Sequence, residues 1–269
     1  MTEAVGGRAV RSPWQVIWSV WNALFLREFM TRITQDRLAW FWLLFEPIAF
    51  VLIFVAIRTV AFGSSRHIAG AEFVPWLLTG LLGFFLFREN MMRSIKAVET
   101  SRTLFSYRQV KPVDPVLVRC FLEGWIKTFI LAGFIAAGAL LGTELFPDNF
   151  MVALFAWCSL WLLGIGAALV FSALSALVNE LGKIVQITSL PLLIISGVMF
   201  PVNFLPHDIL ALLLWNPILH AVEFLRVGFF EAYRPVQGLD LLYLWSWILG
   251  LLTLGLMLHI RFEKRLKAL

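Results

Sequence analysis

From Phe150 to Val178 the chain runs 29 residues without an acidic, basic or histidine side chain. A helix built from such a run has no polar face to turn toward water, so it must be buried in a large core or in a bilayer. At 1.5 Å per residue it is about 43 Å long, more than the roughly 30 Å hydrocarbon core requires. The runs Ala39–Phe62, Phe73–Met92, Val116–Gly142 and Leu239–Ile260 have comparable character, and a shorter one, Ile184–Phe200, contains Pro191 and stops at Pro201. Charged residues make up only 14% of the 269, against about 25% in soluble domains. The expectation is an all-α integral membrane protein with six transmembrane helices.

Basic residues orient these spans, because cytoplasmic segments hold an excess of Lys and Arg. With the N-terminus inside, the inner segments take 17 of the 22 basic residues, among them Arg88, Arg93, Lys96, Arg102, Arg108, Lys111, Arg119 and Lys183. Arg58, Arg66, Arg226 and Arg234 fall outside, and Lys127 lies within a span. Both termini are therefore expected in the cytoplasm. The isoelectric point near 9.6 follows from this topology; a nucleic-acid reading would need a basic face on a soluble module. Trp14–Phe29 is interrupted by Arg27 and Glu28 and no small-residue cleavage site follows, so the chain is expected to keep its N-terminus. Cys120 and Cys158 lack metal-type spacing and read as packing thiols.

Three segments do not read as simple spans. Over residues 12–36, Ser12-Pro13 is a helix start, after which Trp14, Trp18, Trp21, Phe25 and Phe29 recur at helical spacing. Such a stripe suits a helix lying in the headgroup plane, or one packed on a neighbour. The basic stretch 93–115 holds a short helix over Val98–Tyr107, broken by Lys111-Pro112-Val113-Asp114-Pro115. It is either a docking element for a soluble partner or a solvated connector. Between Pro201 and Leu239 two short helical pieces, the second capped by Asn216 and opened by Pro217, are too short to span separately. A re-entrant or interfacial pair on the outer side is expected, bounding a substrate exit or only packing the spans.

Charges within the membrane are costly and draw attention to function. Glu46, next to Pro47 in the first span, is either a lining or gating carboxylate or a helix-end group reaching the interface. Glu123 and Lys127 are four apart and expected to neutralise each other. Gly138-xxx-Gly142 and the small residues Gly164, Gly166, Ala167, Ala168, Ser172 and Ala173 would let helices approach closely. Arg58 and Arg66 could attract carboxylates of an acidic polymer, or simply reach the interface.

Catalytic chemistry is not encoded. The nearest phosphate-loop candidate, Gly182-Lys183, has Leu177 at the first glycine position and Ile184 where a hydroxyl is needed. His220 and Glu223 are three apart but lack further ligands, so no metal site is expected. Active transport by such a chain must draw energy from another protein.

Particular strings carry more information than the spans: Ala23–Arg32, Phe45-Glu-Pro-Ile48, Phe105–Asp114 with Tyr-Arg-x-Val-Lys-Pro-x-Asp, Arg119–Glu123, Met199-Phe-Pro201, and Leu214–Arg226 with Trp-Asn-Pro-x-x-His-x-x-Glu. Together, and in order over nearly the whole chain, they resemble the permease subunit of ABC-2 type capsular polysaccharide exporters. The resemblance implies a homodimer in a Gram-negative inner membrane, moving a lipid-linked acidic polysaccharide outward. Each subunit would dock a cytosolic nucleotide-binding ATPase, two copies in all, which would hold ATP and magnesium; this chain would bind no cofactor. A periplasmic co-polymerase and an outer-membrane exporter would complete the route. The resemblance makes residues 14–29, with Trp14, Trp18, Trp21, Phe25, Arg27 and Glu28, an interfacial helix. It assigns ATPase coupling to the loop of Arg102, Tyr107, Arg108, Lys111 and Asp114. The path is expected near Glu46, Arg58, Arg66, Trp215, His220, Glu223 and Arg226. Rival expectations are a permease for O-antigen or teichoic acid, a membrane-bound glycan-modifying enzyme and a passive channel.

Overall fold

The structure, a computed structural model, describes residues 12–35, 39–62, 67–143 and 145–268. Its helices are α1 (Pro13–Gln35), α2 (Ala39–Phe62), α3 (Phe73–Ser94), α4 (Ala97–Thr100), α5 (Val113–Leu141), α6 (Phe150–Leu177), α7 (Asn179–Ile195), α8 (His207–Leu213), α9 (Pro217–Phe229), α10 (Leu241–Arg261) and α11 (Glu263–Ala268). Two-residue strands β1 (His67–Ile68) and β2 (Ala71–Glu72) form a hairpin between α2 and α3, and the fold is otherwise helical.

Among the described residues, α5, α6 and α10 are each long and apolar enough to cross a membrane alone. The pair α8 and α9 passes the same test jointly but bends by 98°. The helix α3 carries Arg88, Glu89 and Asn90 in its last turns, and α7 has only 17 residues. Their apolar content alone is therefore a weaker signal.

Helix ends follow local chemistry. Ser12 and Gln15 cap each other's backbone N–H at the start of α1, at 3.3 and 3.1 Å, a reciprocal arrangement that satisfies two orphan donors. The side chains of Asn149, Asn216 and Asp240 accept from the first-turn N–H groups of α6, α9 and α10. Helix α5 begins three residues before the sequence-predicted Val116, because Pro115 sits in a first turn whose N–H groups have no intrahelical acceptor anyway. Helix α7 ends five residues before the expected Phe200, where Gly197 turns the backbone at φ 64°.

The centre of the bundle is α6, packed on α3, α9 and α10. Trp76, Leu77, Phe84 and Phe85 of α3 meet Leu160 and Leu163 of α6, Val222 and Leu225 of α9, and Leu244 and Ile248 of α10. Lipid is as apolar as these side chains, so close fit rather than water exclusion holds such helices together. A Cβ on Gly166 would lie 2.8 Å from Leu251 Cβ, and one on Gly164 would lie 3.0 Å from Asn90 Cβ. Gly138-xxx-Gly142 does something other than expected. Gly142, at φ 70°, ends α5, and Thr143 N–H returns to the Gly138 carbonyl at 2.9 Å, a Schellman closure rather than a helix-crossing surface. By contrast α2 packs chiefly on α3 and leaves much of its length exposed.

The loop between α3 and α5 is folded down as part of the molecule. Ala97, Val98, Phe105 and Val110 share a second core with Val116 and Cys120 of α5, Ala168 and Ala176 of α6 and Leu266 of α11. Both cysteines are free thiols, and Cys120 is buried against Ser94 Oγ at 3.3 Å.

Candidate functional site

Three polar assemblies interrupt the apolar bundle. The first lies where α1, α2, α3 and α5 converge. Arg32 of α1 pairs with Glu123 of α5 through both guanidinium nitrogens. Arg93 Nε reaches the same carboxylate at 3.1 Å and Glu89 at 2.9 Å. Arg88 Nη1 then bridges Glu89 at 3.5 Å and Glu46 of α2 at 3.1 Å. The expected Glu123–Lys127 pair is not formed: two guanidinium groups from other helices take the carboxylate, and forked donors match its oxygens better than an ammonium does. Lys127, buried on the same face of α5, stands instead over the Phe85 ring, 5.6 Å from its centroid. Arg32, Arg88 and Arg93 thus meet three carboxylates, and this pairing offsets the cost of burying Glu89 and Glu123.

The second assembly fastens α1 to the loop between α3 and α5 and to α5 itself. Trp21 Nε1 donates to Asp114 Oδ1 at 3.2 Å, Arg27 donates to Ser101 Oγ at 3.1 Å, and Glu28 pairs with Arg119 at 2.8 Å. With Arg32–Glu123 this makes four polar links. The aromatic stripe therefore divides. Trp14 and Trp18 are 80% and 70% exposed, whereas Phe25 stacks on Phe29 at 6.2 Å and meets the edge of Phe121 at 6.5 Å. Asp114 also accepts from Lys111 N–H at 2.8 Å, so it shapes the turn into α5. Arg102, Tyr107, Arg108 and Lys111 are exposed, Tyr107 by 66%.

The third assembly joins α9 to the segments around Gly197 and Tyr233. Glu223 and Arg226 are both 0% exposed. Arg226 donates to Glu223 at 2.8 Å and to the Gly197 and Val198 carbonyls at 2.9 Å each. Its guanidinium lies 3.7 Å from the Trp76 ring centroid, and a side chain at Gly80 would collide with it. Glu223 accepts from Tyr233 Oη at 3.0 Å and from Val236 N–H at 3.3 Å. Burial pushes the Tyr233 phenol up to about 12, so it remains a donor at any ordinary pH. His220 accepts from Asp240 N–H at Nδ1, 3.1 Å, and its Nε2 meets the Leu214 carbonyl at 2.8 Å. The first contact fixes the second nitrogen as the N–H donor.

These placements separate the sequence-predicted path residues. His220, Glu223 and Arg226 are buried, with hydrogen-bond partners inside the chain, and bind α9 to the segments around Gly197 and Tyr233. Trp215 is exposed, with its carbonyl accepting from Tyr243 Oη at 2.7 Å. Arg58 lies over the Phe73 ring, 4.4 Å from its centroid; Arg66 falls outside the described residues. Glu46 alone among them joins the first charge assembly. Sequence reasoning missed Arg32, Glu89 and Arg93 as one unit, since their spacing along the chain gives no sign of convergence. It also missed the hairpin at residues 67–72, whose turn residues Ala69 and Gly70 both have positive φ. An Ala at such a turn is not the usual Asn or Asp signal.

A helical domain with long apolar helices and a packed loop between α3 and α5 fits a membrane-embedded transport domain. The sequence model for the ABC-2 type transporter family matches residues 19–230. The chain is 35% identical over 253 residues to the polysialic acid transport protein KpsM of Escherichia coli, covering 93% of this chain and 95% of that protein. It is 27% identical to the capsule polysaccharide export inner-membrane protein BexB of Haemophilus influenzae, covering 90% and 91%, and 26% identical to its counterpart CtrC of Neisseria meningitidis over the same shares. The chain belongs to the ABC-2 type transporter family.

Proposed function

We propose that this chain is the membrane-spanning permease subunit of an ATP-binding cassette exporter that moves lipid-linked capsular polysaccharide across the inner membrane. The observation that carries this is similarity over nine-tenths of the length or more to three proteins named for capsule or polysialic acid transport. In this reading α2, α3, α5, α6, α7 and α10 span the bilayer, both termini are cytoplasmic, and α8 and α9 form a re-entrant pair on the outer side. The distribution of Lys and Arg supports that orientation. Two copies enclose the path, and a separate cytosolic ATPase, binding ATP and magnesium, supplies the work. A periplasmic co-polymerase and an outer-membrane exporter receive the polymer. The purified chain with its ATPase in sealed vesicles should move glycan only when nucleotide is added. Equal movement by the chain alone would overturn the reading.

Arg102, Tyr107, Arg108 and Lys111 transmit the ATPase stroke. They stand exposed on a loop that is itself packed and tied to α1 and α5, so force on them reaches two helices rather than dissipating in a slack connector. Replacing Tyr107 by Ala and Lys111 by Glu should lower polymer-stimulated ATP hydrolysis about tenfold, equivalent to roughly 1.4 kcal/mol, while the chain still inserts. Wild-type hydrolysis and normal surface capsule would remove the assignment.

Glu46 holds α2 to Arg88 of α3 and serves as a gating residue. Glu46→Gln keeps the shape but weakens the ion pair, and export should slow several-fold with assembly unaffected. A pulse-chase of capsule to the cell surface reads this directly; an unchanged rate would end that role.

A further inference from the structure

Arg32, Arg88 and Arg93 each hold a carboxylate of the first charge assembly, whereas Lys127 beside them does not. Its side chain is buried in the middle of α5. No carboxylate lies within ion-pair distance of it among the described residues. What it has is the Phe85 ring, 5.6 Å from Nζ to the centroid, and the more distant fields of Glu89, Glu123 and Glu46. A ring contact offsets only a fraction of what burying a charge costs. Methionine would pack as well without the charge, so an ionisable group kept at this depth has a use other than packing.

The least firmly held carboxylate of the assembly is Glu46. Glu123 takes Arg32 through two nitrogens and Arg93 as well, and Glu89 takes Arg93 and Arg88. Glu46 has only Arg88 Nη1 at 3.1 Å, a nitrogen that also reaches Glu89 at 3.5 Å. Its side chain is 36% exposed, against 13% for Glu89 and 3% for Glu123. The two cations are neighbours around one ring, since the Arg88 guanidinium lies 6.0 Å from the Phe85 centroid. One turn beyond Glu46, Phe50 of α2 meets the edge of that same ring at 5.8 Å. Phe85 is therefore both the seat of the two cations and the point on α3 against which α2 rests.

We propose that Lys127 is the second partner of Glu46: during transport the carboxylate leaves Arg88 and pairs with Lys127, as α2 turns about the Phe50–Phe85 contact. The inference rests on the exporter reading above and deepens the role given there to Glu46, by naming where its carboxylate goes when α2 moves. No charge is stranded by the exchange. Arg88 keeps Glu89, and Lys127 gains the partner it lacks. The two arrangements differ by one ion pair replaced with another, a near balance that a modest differential interaction elsewhere in the complex can tip. Lys127 is thus a positioning residue, acting on the path through Glu46 and α2.

The test uses the chain assembled with its ATPase in sealed vesicles and treated with a membrane-permeant carbodiimide, which joins a carboxylate to an amine held against it. Mass spectrometry should find Glu46 joined to Lys127 during nucleotide hydrolysis and not before nucleotide is added. In cells, Lys127→Met should slow capsule export about fivefold with the melting temperature of the wild type. Lys127→Arg, which keeps the charge, should restore most of the rate. A side chain with only a packing role would give the reverse order, because methionine fits the space better than a guanidinium. Added to Glu46→Gln, Lys127→Met should deepen the loss little, as for two members of one pair. Absence of the Glu46–Lys127 link during hydrolysis, its equal formation without nucleotide, or multiplied losses in the double variant would overturn the exchange. The link is read on the wild-type chain, so a misfolded variant does not decide the matter. If the wild-type complex moves no glycan on adding nucleotide, the exporter reading falls and this inference falls with it. Normal wild-type export with an indifferent Lys127→Met removes this inference alone.

Discussion

Replacing Arg226 by methionine is expected to cost roughly 3–5 kcal/mol, the range for breaking a buried ion pair by removing one partner. The guanidinium is fully enclosed and satisfies three acceptors, Glu223 and the carbonyls of Gly197 and Val198. Methionine fills similar space above the Trp76 ring but donates to none of them. The Glu223 carboxylate would keep Tyr233 Oη and Val236 N–H as donors but lose its counter-charge. The turn at Gly197 would lose its link to α9. Thermal unfolding of the detergent-purified protein, followed by fluorescence-detected size exclusion, should show a clear fall in melting temperature. The double variant Glu223→Gln with Arg226→Met should recover part of it, because no lone charge is then buried. A melting curve for Arg226→Met that overlays the wild type would refute the buried-clamp account of α9.

At the other end of the bundle, Glu123→Ala should be similarly damaging, again by roughly 3–5 kcal/mol. Glu123 is the point where Arg32 of α1 and Arg93 of α3 meet, its side chain only 3% exposed. Without it Arg32 has no partner and α1 keeps only its links through Trp21, Arg27 and Glu28. Export should fall at least about tenfold and limited proteolysis should cut more readily within α1. Lys127→Met is the informative control. If Glu123 and Lys127 were partners, both variants would be equally harmful. Because Lys127 contacts a ring rather than a carboxylate, its replacement should leave folding close to wild type. Matching losses for the two variants would restore the pairing read from their spacing.

That contrast shows what kind of information a sequence carries. Local rules were sufficient wherever a residue acts on its own helix: Ser12 ahead of Pro13, and Asn216 ahead of Pro217, stand where capping chemistry puts them. The run from Phe150 declares a buried helix by composition alone, and the similarity of its surroundings to capsule exporters fixed the family. Partner choice was not legible. Spacing of four places Glu123 and Lys127 on one face of α5, yet two arginines, 91 residues before and 30 residues before in the chain, reach the carboxylate. Arg226 read equally well as an exposed exit residue, since nothing local reveals that Gly80 leaves room for its head group. Gly142 looked like half of a helix-crossing motif because the same small residue serves close approach and left-handed turns. Each of these outcomes depends on which helices become neighbours.

The loose attachment of α2 has a mechanical corollary. Near its N-terminal end it is moored by Glu46 to Arg88, and near its C-terminal end Arg58 rests on Phe73. Midway along it Val51 joins the main core, and Phe50 meets the edge of the Phe85 ring at 5.8 Å. The helix is therefore a plank pinned at mid-length as well as at its two tips, with its other face left uncovered for whatever lies beside it.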